Sequence, residues 1–392
     1  MTGHRLEVAD VVRQHQEEFL TQWGHTVSKI QRRALRDIGS CRTAALGGHV
    51  EQCDQCGHRV IAYNSCRNRN CPKCQFPARE KWLAARAKEL LPVPYFHVVF
   101  TLPHELAPLA LQNQKLIYSL LFRAAAETLL QIAADPQHLG ARIGFLAVLH
   151  SWGQNLNFHP HLHCVVPGGG ISLDGSRWIS CRNHFFLPVR VLSRLFRGKF
   201  LAFLFKARRQ GQIALHGHCA NLAQNDAFER FTKRLKKSDW VVYSKPPFGG
   251  PTQVLNYLSR YTHRVAISNS RMLSLLDGHV SFQWRDYRDC QSKVMTITAV
   301  EFLRRFLQHV LPAGFVKIRH FGWLANRCRK IKLTECRRWL HGCEVTVPAP
   351  EQRVTDHSCP ACHNGVLRIV EWFDPVVARQ PIPSPPIPID SS

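Results

Sequence analysis

Apolar positions change period several times along the chain, and each change marks an element. In residues 6–38, Val8, Val11, Val12, Phe19 and Leu20 form a loose stripe among charged residues, which predicts helix. Residues 41–76 lose that period and are rich in Cys, Arg and Asn, as in a loop region organised by metal. Pro77 suits the first turn of a helix reaching about Leu91. Residues 95–102, YFHVVFTL, are β-branched and aromatic and predict a strand. Residues 103–134 read as one long helix or a pair, ended by Asp135 and Pro136. Strands follow at 143–152 and 157–166, the second stopped by Pro167 and three glycines. Residues 171–180 continue as a meander turning at Asp174 and Gly175.

Helical periods return at 189–209, 223–236, 252–264 and 300–310. Between them lie a short strand at 240–243, a KPPFGGP loop at 245–251, and a hairpin of 272–276 with 279–284 across Asp277 and Gly278. Residues 294–297 are expected to pair with that hairpin. Residues 374–392 hold six prolines and predict an extended, disordered tail. No internal repeat is visible. A chain of 392 residues calls for two or three domains.

Composition narrows the partner. Lys and Arg number 52 against 27 Asp and Glu, a formal net charge of +25. Such an excess repels itself unless a polyanion neutralises it, and nucleic acid is the common one. The most apolar run, around 120–134, is interrupted by Arg123 and Glu127, so no membrane span is expected. The acidic N-terminus, with Glu7, Asp10, Glu17 and Glu18, is unlike a secretory signal, and a cytoplasmic protein is expected. Fifteen cysteines in such a chain point to metal binding. Six fall between Cys41 and Cys74 and five between Cys328 and Cys362. Cys164, Cys181, Cys219 and Cys290 read as small core residues.

Three clusters carry candidate chemistry. In FHPHLHCVV, residues 158–166, His161 and His163 alternate along a strand and so share a face, half of a divalent-metal site. The third ligand would come from the preceding strand, with Gln154 favoured and His150 the alternative. In NYLSRYTHR, residues 256–264, Tyr257 and Tyr261 lie one helical turn apart, beside a basic stripe of Arg260 and Arg264. A phenol beside a metal-bound phosphate can attack phosphorus and keep the bond energy for rejoining. By itself the tyrosine pair reads more readily as a helix core.

Cys53-x-x-Cys56 and Cys71-x-x-Cys74 have the spacing of one tetrahedral Zn²⁺ site. Cys41, His49 and Cys66 are candidates for a second. Arg67, Arg69 and Lys73 stud the same loop and suit phosphate contacts. Near the C-terminus, Cys359-x-x-Cys362 resembles half a zinc knuckle, which Cys336 and Cys343 could complete. Residues 317–338 hold eight cations and one anion with Phe321 and Trp323 interleaved, which suits single-stranded nucleic acid as well as a solvated face.

Together, the histidine strand and the tyrosine helix resemble the HUH single-strand endonucleases. More narrowly, LHSWGQNLNFHPHLHCVVPGGG and YLSRYTHRVAISNSR resemble the rolling-circle, two-tyrosine transposases of bacterial insertion sequences, the insertion sequence ninety-one family. SCRNRNCPKC and PYFHVVFTLPHEL extend the likeness over roughly residues 10–325. Asn70 departs from it, since similar proteins often carry histidine there. The resemblance implies an α+β fold, an antiparallel sheet flanked by helices (the HUH endonuclease fold), with an N-terminal zinc-binding domain. It implies Mg²⁺ or Mn²⁺ on His161 and His163, and Tyr257 and Tyr261 as nucleophiles. The expected division is a helical and zinc-binding DNA-recognition domain over 1–92 and the catalytic domain over 93–312. A basic segment over 313–373 and a tail over 374–392 would follow. The expected partner is DNA, especially single-stranded insertion-sequence ends. No G-x-x-x-x-G-K-[ST] motif is present, so unwinding would fall to host machinery or to the state of the DNA. Two rival readings are a plasmid relaxase or replication initiator, and a non-catalytic zinc-dependent DNA-binding regulator.

Overall fold

The computed structural model describes residues 5–182, 186–238, 240–245, 253–254, 265–286, 289–340 and 357–376. Two helices come first, α1 (Val8–Trp23) and α2 (Lys29–Gly39). The Glu7 amide donates to the Asp10 carboxylate at 2.8 Å to start α1, and Ser28 caps α2 through the Gln31 amide. A hairpin of β1 (Gly48–Cys53) and β2 (Arg59–Tyr63) precedes α3 (Gln75–Ala87). Then come β3 (Tyr95–Thr101), α4 (Ala107–Gln112) and α5 (Gln114–Ala134). The strands β4 (Ala141–Arg142), β5 (Gly144–Trp152), β6 (Phe158–Pro167), β7 (Gly169–Ser172) and β8 (Trp178–Ser180) follow. After α6 (Val189–Arg209), α7 (Asn225–Lys237) and β9 (Val242–Lys245) come β10 (Met272–Leu276), β11 (His279–Arg285) and β12 (Ser292–Thr298). The chain continues through α8 (Ala299–Gln308), β13 (Ile318–Gly322), α9 (Arg329–Trp339) and β14 (Leu367–Phe373).

The central sheet runs β13-β5-β6-β3-β9, with every neighbouring pair antiparallel. This is the α+β architecture that the sequence predicts, and the histidine-bearing β6 is the middle strand. Period-two alternation splits the sheet into two faces. Phe96, Val98, Phe100, Phe145, Leu149, Leu162 and Cys164 point to one face and pack with α5, α6 and α7. The opposite face is apolar only at one end, where Tyr95, Leu146, Val148 and Val165 meet α3 and α9. The rest of that face carries the histidines.

Helix α5 is long and apolar enough to cross a membrane by length and composition, contrary to the expectation from its two charges. Arg123 and Glu127 do not interrupt it; they pair at 2.8 Å on its outer surface, and most of the helix is buried in the core.

A second core joins α1, α2 and α8 to the three-stranded sheet β10-β11-β12. Residues 171–180 do not extend the central sheet as a meander. The β7–β8 hairpin pairs instead with β4, because the backbone turns aside at the glycines 168–170. A Cβ on Gly170 would sit 2.6 Å from the Arg142 carbonyl oxygen, so only glycine allows that approach.

The expected boundaries at 92 and 312 cut across packed units. β13 is an edge strand of the central sheet, α9 covers its histidine face, and β14 pairs with β1. The helix expected over 252–264 lies outside the described residues apart from Gln253 and Val254, and the tail lies outside them from 377 onward.

Candidate metal centre and DNA-cleavage site

The site grows from strand register. β5 and β6 pair His150 with His161 and Val148 with His163, while β3 sets Thr101 against His161 and Val99 against His163. All these residues share one face. His150, His161 and His163 each offer a ring nitrogen, and the three nitrogens lie within 4.8 Å of one another. Their ring centroids are 4.6 Å apart for His150 and His163, 4.8 Å for His161 and His163, and 5.7 Å for His150 and His161.

Two contacts fix ring orientation. His163 Nδ1 is 2.9 Å from Nε2 of the buried His97, and His161 Nδ1 is 2.6 Å from the His159 carbonyl oxygen. Both bonds use Nδ1, so Nε2 is the nitrogen each ring can offer to a metal. Burial pushes the His161 pKa down to about 4, which keeps the imidazole neutral and able to ligate.

Beside the triad a cavity of about 910 Å³ opens, lined also by Gln154, Arg271, Trp284 and Asp286. Gln154 lies at its rim. Its carbonyl accepts a hydrogen bond from Arg271, which ties the β5–β6 loop to the start of β10. The imidazole that joins the pair is His150, the alternative weighed from sequence, and Gln154 lines the same cavity. Register places His150 directly opposite His161, while the β5–β6 pairing ends at Trp152 and Phe158. His97 was missed altogether. Its signal was parity, since it shares the face of Val99 and Thr101 on β3, diagonal to His163.

The nucleophile candidates Tyr257 and Tyr261, with Arg260 and Arg264, lie outside the described residues. The segment's flanks are described. Val254 is fully buried among Leu146, Val148 and Val165 on the histidine face, and Val265 and Ala266 line a small pocket with Trp152 and His309.

The cysteines sort differently from the expectation. Cys71 and Cys74 do not face Cys53 and Cys56. They meet Cys41 and Cys66, with all four sulfurs within 4.8 Å and closest pairs at 3.5 and 3.6 Å. A tetrahedral Zn²⁺ with Zn–S of ~2.3 Å separates its sulfurs by about 3.8 Å, so the quartet fits that ion. Cys53 and Cys56 face Cys359 and Cys362. The earlier pairing failed because β1 and β2 carry the first knuckle away from the 66–74 loop. His49 belongs to neither quartet; it bonds Glu51 at 3.3 Å and its ring meets Trp372. Cys336 is a buried residue of α9, and Cys343 lies outside the described residues.

Two of the three loop cations are also committed internally. Arg69 donates to the carbonyls of Leu311, Pro312 and Phe315 at 2.8–3.0 Å, and Lys73 pairs with Glu7. Arg67 is exposed.

Comparison with known proteins agrees with this organisation. Residues 11–102 match the family described as "Transposase zinc-binding domain", and residues 144–332 match "Putative transposase". A Sinorhizobium fredii protein named "Putative transposase y4qJ" is 56% identical, covering 94% of this chain and 96% of its own length. The "Transposase for insertion sequence element IS801" of Pseudomonas savastanoi pv. phaseolicola is 30% identical, covering 78% of this chain and 74% of its own. No solved structure matches. A histidine triad on an antiparallel sheet, a cysteine-bound N-terminal module and near-full-length likeness to named transposases converge: the chain belongs to the IS91-type family of insertion-sequence transposases, which are of the rolling-circle type.

Proposed function

We propose that this transposase nicks and rejoins single-stranded DNA at insertion-sequence ends through a 5′-phosphotyrosine intermediate. The observation that carries the reading is the triad of His150, His161 and His163 in an open cavity on the middle strand. Three clustered imidazoles suit a divalent ion. An all-imidazole set is softer than Mg²⁺ prefers, so Mn²⁺ is the better fit of the two. Bound there, the ion would polarise the scissile phosphate as a Lewis acid.

Tyr257 and Tyr261 are the nucleophiles in this reading. Of the flanks of their segment, Val254 packs with Val148 and Val165 on the histidine face, and Ala266 lines a pocket beside Trp152, which also borders the triad's cavity. The phenol oxygen bonds to phosphorus as its proton leaves; the 3′ oxygen departs and takes up a proton. Attack by a free 3′-hydroxyl reverses the step and restores the phenol. His97 holds the His163 ring, and Arg67, Arg260 and Arg264 offer charge to the strand's phosphates. Zn²⁺ on Cys41, Cys66, Cys71 and Cys74 would shape the recognition module. The protein would act in the cytoplasm on nucleoid DNA, with host machinery supplying unwinding.

The test is a labelled single-stranded element terminus incubated with Mn²⁺ and resolved under denaturing conditions. A covalent protein–DNA adduct is expected from the intact chain and none from Tyr257→Phe/Tyr261→Phe. An intact chain that forms no adduct, or a double variant that still does, would overturn the assignment. Cleavage at a plasmid origin and not at element termini would favour a relaxase.

A further inference from the structure

The matched zinc-binding domain ends at residue 102, yet two cysteines far beyond it complete a second thiol quartet. Cys53 ends β1, and Cys56 sits in the turn before β2. Cys359 and Cys362 occupy the turn before β14, which pairs with β1 on its other edge. Cys53 and Cys362 sulfurs are 3.7 Å apart, Cys56 and Cys359 sulfurs 3.5 Å, and all four lie within 4.8 Å. These are the edges of a tetrahedron around an ion with Zn–S of ~2.3 Å, and are too long for disulfides at ~2.05 Å.

The two turns repeat one design. In the first, the Gln55 and Cys56 amides point at Cys53 Sγ at 3.4 and 3.5 Å. In the second, the Ala361 amide points at Cys359 Sγ and the Gly365 amide at Cys362 Sγ, both at 3.4 Å. Amide hydrogens aimed at sulfur favour thiolate, the ligating form. Gly57 and His363 each follow the second cysteine of their turn with positive φ, 72° and 59°, and each donates its amide to the carbonyl of the first. Gly365 is required by the packing, since a Cβ there would lie 2.3 Å from Cys53 Sγ. Asp54 and Val366 clip the turns together, with the Val366 amide 2.9 Å from the Asp54 carboxylate.

The sheet these turns close has little apolar core. Ile61, Tyr63, Ile369, Val370 and Trp372 are all exposed. A three-stranded sheet so thinly covered needs another source of folding free energy, and a structural metal is a common one.

We propose that Cys53, Cys56, Cys359 and Cys362 bind a second structural Zn²⁺, which fastens the C-terminal strand to the N-terminal recognition module. The fully folded module then comprises both ends of the chain.

Zinc is counted by elemental analysis of the full-length chain after dialysis, on a His161→Ala/His163→Ala background so that the histidine site contributes none. Two ions per chain are expected. Cys359→Ser/Cys362→Ser should hold one, and adding Cys53→Ser/Cys56→Ser should remove no more. Cys71→Ser/Cys74→Ser should also hold one. A single ion in the parent chain, or two in the Cys359→Ser/Cys362→Ser variant, would defeat the proposal. If the variants precipitate, Co²⁺ substitution of the parent decides: thiolate-to-metal absorption equal to two tetrathiolate sites supports it, and equal to one refutes it.

Discussion

The two faces of the central sheet are made by the same strands, one residue apart, and they do different work. On β6, Leu162, Cys164 and Val166 turn towards α5 and α6, while His161 and His163 turn the other way. The apolar face is sealed along its length. Among the described residues, the histidine face is covered at one end, by α3 and α9, and its other end forms the wall of a cavity. Strand parity thus separates core packing from the candidate metal site within a single segment. A site built this way inherits the rigidity of the core behind it without being part of that core.

The separation can be broken from either side. The largest effect is expected on the chemical face. His161→Ala/His163→Ala should cut nicking by roughly a thousandfold or more, since metal stabilisation of the transition state is worth several kcal/mol. Its thermal midpoint should stay close to the parent's; a collapse in folding would show that the two faces are not independent. On the apolar face, Leu162→Ala should cost about 2–5 kcal/mol of stability by denaturant titration. Below its midpoint, Mn²⁺ affinity should change only a few-fold, and loss of metal binding in the folded variant would again merge the faces.

The smallest effect concerns a buried histidine outside the triad that serves structure. His309 is buried under the β5–β6 loop, 3.2 Å from Ser151 Oγ and 3.1 Å from the Leu156 carbonyl oxygen. Burial lowers its pKa to about 4 from an ordinary 6.5. Between those values the unfolded chain binds the extra proton, so this contribution to stability is present above pH 6.5 and is lost as pH falls towards 4. One such group supplies a slope of up to about 1.4 kcal/mol per pH unit. Unfolding measured at pH 7 and 4.5 should show a shallower loss in His309→Gln. An unchanged slope would remove His309 from the account.

Much of this was legible in the sequence because local signals and tertiary demands agree. The alternation of HPHLHC could sit only on a half-buried strand, and the turn at Asp277 and Gly278 closes its hairpin as expected. What was not legible depended on partners distant in the chain. The third imidazole, His150, shares strand parity with Gln154, and only the pairing that sets it opposite His161 singles it out. His97 needed the pairing of β3 with β6 before its parity meant anything. The thiol quartets could not be sorted by spacing, because Cys53-x-x-Cys56 and Cys71-x-x-Cys74 have good spacing with each other yet are separated by the β1–β2 hairpin. Arg69 had the look of a phosphate ligand, and its three carbonyl partners come from residues 311–315.

The pairing of β1 with β14 has a consequence in time. Cys53 and Cys362 are 309 positions apart. At roughly 5–20 residues per second, a ribosome takes on the order of 15–60 s to travel between them. During that interval β1 has one of its two neighbours and the knuckle has half its ligands. A polypeptide released before β14 leaves the β1–β2 sheet unfinished, whatever the state of its central sheet. Synthesis through β14 thus becomes a condition for closing that sheet, and products aborted before it lack the strand that finishes it.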